Sequence, residues 1–281
     1  MRIALIQLGY DDREPVFDRV TRAANLVRAQ AGHDLVVLPE LWAPGGFSYK
    51  QWDKRAEPVD GPIALAMSAA ARDAGVTLHA GSIIERPAGG ERGPEGKNLW
   101  NTSLVFASDG LLAATYRKIH RFGFGQGEPL LMEAGDALAL VDVPDSESDV
   151  GPARAALSTC YDLRFPELYR AQLDAGATLF VIPAAWPAAR VRHWTLLAHA
   201  RAIENQCVVV ACNTAGTHAG VEMGGHSQVV LPTGDVAAMA GIDEQVLSVD
   251  VDMSVVSDYR ASFPVLRDRR LPLGPRSPFR S

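Results

Sequence analysis

Three side chains that could together attack a carbonyl or nitrile carbon each stand just after a run of residues typical of a β-strand. They are Glu40, Lys118 and Cys160. Ligand sites of α/β proteins gather beyond the ends of strands, where loops meet a rigid scaffold. We therefore expect these three side chains to converge in one site.

The three residue types have complementary chemical roles. A cysteine attacks as its thiolate, and a carboxylate within hydrogen-bond reach can take the thiol proton, so Glu40 is the expected base for Cys160. The attack puts negative charge on the former carbonyl oxygen, which the ammonium of Lys118 and the backbone N–H of Tyr161 could stabilise. A helix that begins near Pro166 would place its N-terminus close to the sulfur and favour the thiolate.

The segments around these residues resemble the three catalytic blocks of the nitrilase (carbon-nitrogen hydrolase) superfamily, in the family's order. The blocks are LPE at 38–40, YRKIH at 116–120 and CYDLRFPE at 160–167. Downstream, the chain is similar to the family's non-catalytic signatures at ARAIENQ (200–206), NTAG (213–216) and GHS (225–227). The resemblance implies a Glu-Lys-Cys triad that works without metal or organic cofactor.

Many amidases of this superfamily carry a second essential glutamate between the lysine and cysteine blocks, and two residues compete for that place. Glu133 lies where the family usually turns toward the next strand, whereas Glu128 precedes that turn by the expected distance. We therefore choose Glu128 and keep Glu133 as the alternative. The resemblance implies that this glutamate places the substrate amide and supports Lys118.

Other interpretations of the reactive residues remain open. A Cys-His dyad with His120 or His226 would leave Glu40 and Lys118 without roles. A redox thiol, or a binding protein that keeps the pocket without catalysis, would also contain Cys160. Taken singly, each of the three residues is more often structural, and only their joint occurrence favours catalysis.

Several further residues have simpler expected roles. Cys207 and Cys212 lie five apart on one strand-like run, so they face opposite sides and are expected to be small core residues. Arg201 and Glu204 are three apart on a helix and should form a structural ion pair. Aromatic side chains often form the walls of small-molecule pockets, and the best candidates for substrate contact are Tyr161 and Trp186.

Composition limits the classes of partner. The chain has 281 residues, is 47% hydrophobic and carries a formal net charge of -6, so it has no general attraction for phosphate backbones. Its apolar runs are shorter than the ~20 residues that span a bilayer, and the N-terminal run reaches Gln7 too early for a secretory signal. We expect a cytoplasmic protein with reduced cysteines that binds neither nucleic acid nor membranes.

The strand and helix patterns predict an α/β fold with two mixed sheets. A helix over about 14–31, capped by Gly32, separates strands at 2–8 and 34–39. The pair Asp109-Gly110 predicts a hairpin. Two sheets facing each other with helices outside would suit the count of elements. The resemblance implies a four-layer α-β-β-α sandwich that pairs with a second copy, as a homodimer or larger assembly.

We expect one domain over residues 1–266, followed by an extended arm over residues 267–281, which hold five Arg and three Pro. The expected function is hydrolysis of a non-peptide carbon-nitrogen bond in a small amide through a Cys160 thioester. A nitrilase, a carbamoyl hydrolase or a non-catalytic member of the family is the alternative. The candidate second glutamate favours an amidase, but the sequence does not name the substrate.

Overall fold

The computed structural model describes residues 1–146 and 151–271, and within them the chain forms two six-stranded sheets. The strands in chain order are β1 (Arg2–Gln7), β2 (Leu35–Val37), β3 (Thr77–Glu85), β4 (Trp100–Phe106), β5 (Leu112–Arg117), β6 (Leu140–Val143), β7 (Ala153–Leu157), β8 (Leu179–Pro183), β9 (Val208–Cys212), β10 (Thr217–His218), β11 (Val221–Glu222), β12 (Gln228–Val230), β13 (Val236–Met239) and β14 (Gln245–Asp250).

The described part of the chain has six α-helices. They are α1 (Val16–Arg28), α2 (Pro62–Ala74), α3 (Glu128–Leu131), α4 (Pro166–Asp174), α5 (Val191–Asn205) and α6 (Ser254–Ser262). In the described parts of the chain, none of these helices has both the length and the apolar character needed to cross a bilayer.

Both sheets are mixed. The first has the order β14-β1-β2-β3-β4-β5 and the second β13-β12-β9-β8-β7-β6. In each sheet three central strands run parallel and the outer strands pair antiparallel. The parallel strands are joined through helices, α1 and α2 in the first sheet and α4 and α5 in the second. The predicted hairpin at Asp109-Gly110 is confirmed as the β4–β5 connection.

The central strands bury side chains on both faces. In β1, Leu5 packs in the core between the two sheets, whereas Ile6 packs under helices α1 and α2. In β8, Val181 and Phe180 divide in the same way between the inner core and the layer under α4 and α5. Because alternate residues of a strand face opposite sides, these apolar runs build three stacked cores. The predicted α-β-β-α sandwich is confirmed.

Some boundaries differ from the sequence predictions. Helix α1 ends at Arg28, so the prediction that Gly32 ends it is wrong, and residues 29–32 instead form a turn into β2. Helix α6 was not predicted. Cys207 and Cys212 pack in different cores, on opposite sides of the second sheet, which confirms their expected structural role. The predicted helix pair is also present, with Arg201 Nη1 2.8 Å from Glu204 Oε1.

The predicted arm is described only at its start. Residues 265–268 form a short 3-10 turn, and the guanidinium of Arg269 then binds both carboxylate oxygens of Asp174 at the end of α4, at 2.5 and 2.9 Å. Residues 272–281 lie outside the described residues. The division into one domain and an arm therefore stays a prediction.

A glycine in β3 lets this strand pass close to the segment that follows β2. Gly81 has φ +70°, and a Cβ atom built there would lie 1.9 Å from the carbonyl oxygen of Pro39. The β3–β4 register shifts between His79 and Ser82, next to this glycine. Ser82 Oγ accepts a hydrogen bond from the N–H of Leu41 at 3.1 Å. The bulge therefore fixes the residue between Pro39 and Leu41, which is Glu40.

We predict that Gly81→Ala destabilises the protein by about 3 kcal/mol, because alanine is strained at this φ and its methyl group overlaps the Pro39 carbonyl. Urea unfolding followed by circular dichroism measures the loss. The control is Gly89→Ala, at a glycine with no atom within 4 Å of the added Cβ. Equal stability of the two variants would contradict this account of the bulge.

Candidate active site

Glu40, Lys118 and Cys160 lie together in one pocket, although they come from both sheets. Glu40 follows β2, Lys118 is the first residue after β5, and Cys160 begins a 3-10 turn after β7. All three are buried, with exposed fractions of 4%, 2% and 8%. Glu128, in the first turn of α3, lines the same pocket.

The ammonium of Lys118 is bound by two carboxylates. Its Nζ lies 2.7 Å from Glu40 Oε1, 2.8 Å from Glu128 Oε2 and 3.0 Å from Glu128 Oε1. Burial by itself would lower the pKa of Lys118, but the charges of Glu128 and Glu40 outweigh it and raise the pKa well above its usual value. Lys118 is therefore a fixed positive charge across the physiological pH range.

Glu40 is held in its ionised form. Its Oε1 accepts a hydrogen bond from Asn101 Nδ2 at 2.8 Å as well as the one from Lys118. Its Oε2 accepts a hydrogen bond from the backbone N–H of Ala185 at 2.9 Å. Burial raises the pKa of Glu40, but the ammonium of Lys118 outweighs burial and brings the pKa below its usual value. A carboxylate has roughly four lone-pair positions, so these three bonds leave one for the thiol of Cys160.

Cys160 is a thiol in the free site. Burial, followed by the negative charge of Glu40, raises its pKa well above the usual value, and the charge of Lys118 compensates only in part. The predicted contribution of a helix N-terminus stays a prediction, and burial beside a carboxylate determines the net direction of the pKa. A base is therefore needed to form the thiolate of Cys160. Cys160 also has φ +49°, a sparsely populated conformation for a non-glycine residue that is typical of functional sites.

The two candidate second glutamates have different surroundings. Glu128 contacts Lys118 and also accepts hydrogen bonds from Asn101 Nδ2 and from the backbone N–H of Phe122. Burial raises the pKa of Glu128 despite the nearby charge of Lys118. The Oε1 atom of Glu133 instead accepts from the backbone N–H of Lys97 at 2.8 Å. Of these two glutamates, only Glu128 contacts Lys118.

Asn101 joins the two carboxylates and was missed by sequence reasoning. Its Nδ2 donates to Glu40 Oε1 at 2.8 Å and to Glu128 Oε1 at 2.6 Å. The residue lies within β4, where a single amide in the run WNTSLVF looks like an ordinary strand residue. The signal that could have found it is that a buried amide must have hydrogen-bond partners. Asn101 is therefore a candidate positioning residue.

The histidines proposed for a Cys-His dyad are occupied elsewhere. Nδ1 of His120 lies 2.8 Å from Asp162 Oδ1, and its ring stacks on Phe165 at 3.8 Å. Nδ1 of His226 lies 2.6 Å from the carbonyl oxygen of Gly224. Neither ring lines the pockets that contain Cys160. The dyad therefore has no support in the geometry.

A wall of aromatic and cationic side chains lies outside the buried charges. Tyr161 and Trp186, the two predicted substrate contacts, both line this outer pocket next to Cys160. The remaining lining side chains are contributed by Phe47, Phe122, Arg164, Ala185, Pro187 and Arg190. Within residues 1–146 and 151–271, no three His, Cys, Asp or Glu side chains are grouped so that they could hold a metal ion.

Comparison with known proteins assigns the chain to a family. The family model described as carbon-nitrogen hydrolase matches residues 2–261. The chain belongs to the carbon-nitrogen hydrolase family. The predicted family is therefore confirmed, and the amidase relatives described next confirm the predicted amidase activity.

Similar members of the family are amidases. The chain is 46% identical to a 2-oxoglutaramate amidase of Paenarthrobacter nicotinovorans, over 95% of this chain and 89% of that protein. It is 35% identical to the human omega-amidase NIT2, over 96% and 95% of the two chains. A solved structure of a CN-hydrolase superfamily protein from Xanthomonas campestris, with an arsenic adduct in its active site, aligns with a TM-score of 0.84 at 31% identity, over 98% and 99% of the two chains.

We predict that Asn101→Leu lowers kcat by about 10- to 100-fold and moves the acid limb of the kcat/KM profile to higher pH. The hydrogen bond from Asn101 lowers the pKa of Glu128, so its loss raises that pKa. Glu128 then loses its charge at a higher pH as the solution is acidified. Steady-state ammonia release measured from pH 4 to 9 tests both effects.

The control for this variant is Ser103→Ala, two residues along the same strand. Ser103 Oγ lies 3.0 Å from Thr159 Oγ1, so the control also removes a buried hydrogen bond but leaves both carboxylates in place. We expect it to keep the wild-type pH profile. An equal loss of activity in both variants, with no shift of the acid limb, would show that Asn101 has only a structural role.

Proposed function

We propose that this carbon-nitrogen hydrolase is an ω-amidase, which cleaves the terminal amide of a short dicarboxylic acid monoamide such as 2-oxoglutaramate. The products are ammonia and the dicarboxylic acid. The observation that carries the proposal is the buried set of Glu40, Lys118, Glu128 and Cys160 in one pocket. The similarity to a 2-oxoglutaramate amidase over nearly the whole chain supports this choice of substrate.

In the first half of the reaction, the carboxylate of Glu40 takes the proton of Cys160 while the sulfur attacks the amide carbon. The oxyanion that forms is stabilised by the ammonium of Lys118 and by the N–H of Tyr161, in the first turn after the nucleophile. Glu40 then gives its proton to the leaving nitrogen. Ammonia departs and a thioester remains on Cys160.

In the second half, Glu40 is again a carboxylate and takes a proton from a water molecule as that water attacks the thioester. The same two donors, Lys118 and the Tyr161 N–H, stabilise the second oxyanion. The carbon-sulfur bond breaks, Cys160 regains its proton from Glu40, and the acid is released. One base and one oxyanion site thus serve both halves.

Glu128 has a positioning role in this proposal. Both of its carboxylate oxygens lie within 3.0 Å of the ammonium of Lys118, so it fixes where that charge stands. Without Glu128, the ammonium would have only Glu40 as a charged partner and would compete with Cys160 for that base. This division of labour keeps Glu40 free to accept the thiol proton.

We also propose that the protein works in the cytoplasm as a homodimer or larger homo-oligomer that binds no nucleic acid. The outer side of α5 supports an interface between copies. Leu196 and Ile203 are 56% and 49% exposed, and residues seven apart lie on one face of a helix. Exposed apolar side chains grouped on one face are typical of contact surfaces.

We predict that Leu196→Glu shifts the oligomer toward monomer by about tenfold in dissociation constant, because it places a charge in an apolar interface. Light scattering coupled to size-exclusion chromatography measures the molar mass. The control is Leu65→Glu, at a leucine that is 63% exposed on α2, in the opposite helix layer. A wild-type protein that is monomeric at all concentrations would contradict the interface.

The decisive test of the function is ammonia release from 2-oxoglutaramate. We predict that Cys160→Ala reduces kcat by at least about 10³-fold, because the nucleophile is lost. The control Cys207→Ala removes a buried thiol outside the pocket and should keep near-normal kcat. Rapid quenching of the wild type followed by intact-mass measurement should show an acyl adduct that is absent in Cys160→Ala.

The same assay separates the alternatives within the family. Preferred turnover of a nitrile or of an N-carbamoyl compound would replace the ω-amidase by a nitrilase or a carbamoyl hydrolase. Ligand binding without turnover of any amide would indicate a non-catalytic member. A disulfide or sulfenic acid on Cys160 as the only functional change would favour a redox thiol.

A further inference from the structure

Two guanidinium groups stand on the outer wall of the pocket that contains Cys160. Arg164 ends the 3-10 turn that begins at the nucleophile, and Arg190 ends the short turn before α5. In the described part of the chain, neither forms an ion pair with a carboxylate. Nη1 of Arg164 lies 3.3 Å from Nδ1 of His193. Both positive charges therefore face the pocket without an anionic partner.

Aromatic rings contact these two cations without neutralising them. The guanidinium carbon of Arg164 lies 4.7 Å from the centre of the Trp186 ring, and that of Arg190 lies 5.7 Å from the centre of the Phe122 ring. Such contacts orient a guanidinium and leave its N–H donors free. Burial lowers the pKa of Arg164, and the positive charge of Arg190 lowers it further. The two like charges therefore repel each other. An anion bound between them would relieve that repulsion.

We propose that Arg164 and Arg190 together bind the carboxylate of the substrate and make the enzyme selective for amides with an anionic far end. This inference rests on the proposed function and specifies its substrate class. A guanidinium offers paired N–H donors that match the two oxygens of a carboxylate. The residues that would bind the far end of the substrate are thus different from those that would cleave its amide.

The polarity of the whole pocket matches one kind of molecule. Its inner end holds Glu40, Lys118 and Cys160, its wall is aromatic, and its outer end is cationic. A short dicarboxylic acid monoamide has the same order: an amide, an apolar methylene chain and a carboxylate. Glutamine has that skeleton but carries an ammonium beside its carboxylate, which the two arginines would repel. A 2-oxo acid lacks this positive charge, so the pocket should favour it.

The test compares two amides of similar shape. Succinamate ends in a carboxylate, and 4-methylpentanamide ends in an uncharged isopropyl group. We expect the wild-type protein to show a kcat/KM for succinamate about 100-fold or more above that for the neutral amide. In Arg190→Met this ratio should fall by about tenfold or more, through the KM for succinamate, and Arg190→Lys should recover part of it.

The matched control is Arg192→Met, an exposed arginine two residues further on that lines neither pocket. It should leave the substrate ratio unchanged. Equal losses for both amides in Arg190→Met, or a wild-type enzyme that prefers the neutral amide or glutamine, would overturn the carboxylate site while leaving the amidase intact.

Failure of the proposed function has a different result, because then neither amide releases ammonia. In that case calorimetric binding of succinate still tests the arginines. Binding to the wild type that weakens about tenfold or more in Arg190→Met and persists in Arg192→Met supports the carboxylate site. Binding that does not differ between the wild type and Arg190→Met overturns it.

Discussion

The ammonium of Lys118 lies between the carboxylates of Glu40 and Glu128, and all three groups are almost wholly removed from water. Each of these charges alone would be costly to bury, and removal of one partner would leave an uncompensated charge behind. Two carboxylates and one ammonium leave a net negative charge. Burial, followed by the negative charge of Glu40, raises the pKa of the nearby thiol of Cys160, and in our proposal the same carboxylate is the base that removes its proton.

This interaction depends on how the two sheets meet. Glu40 and Lys118 extend from the first sheet, whereas Cys160 and the Ala185 N–H that binds Glu40 follow strands of the second. The shared apolar core between the sheets therefore sets the distance from the carboxylate of Glu40 to the sulfur of Cys160. Leu41 and Cys160 both have positive φ, and such strained conformations persist only where surrounding packing determines them.

The sequence predicted two facing sheets with helices outside from its apolar runs of strand length and the helices between them, and its resemblance to the nitrilase superfamily supplied the four-layer α-β-β-α sandwich. It also placed Glu40, Lys118 and Cys160 just beyond the strands, where side chains converge. Asn101 could not be identified in the same way, since its role arises from two carboxylates 61 and 27 residues away along the chain. The raised pKa of Cys160 could not be predicted in the same way, because it depends on burial in three dimensions and on the approach of Glu40.

The inner and outer parts of the pocket answer different chemical requirements. Every amide presents the same carbonyl and nitrogen, so the charges around Lys118 cannot distinguish one amide from another. Selectivity must come from contacts with the remainder of the substrate, and in our proposal those contacts lie on the wall formed by Tyr161, Trp186 and the two arginines. Because that wall is built from the turn after Cys160 and the segment before α5, its side chains can change without moving the buried carboxylates. A common reaction centre can in this way be combined with different substrate preferences.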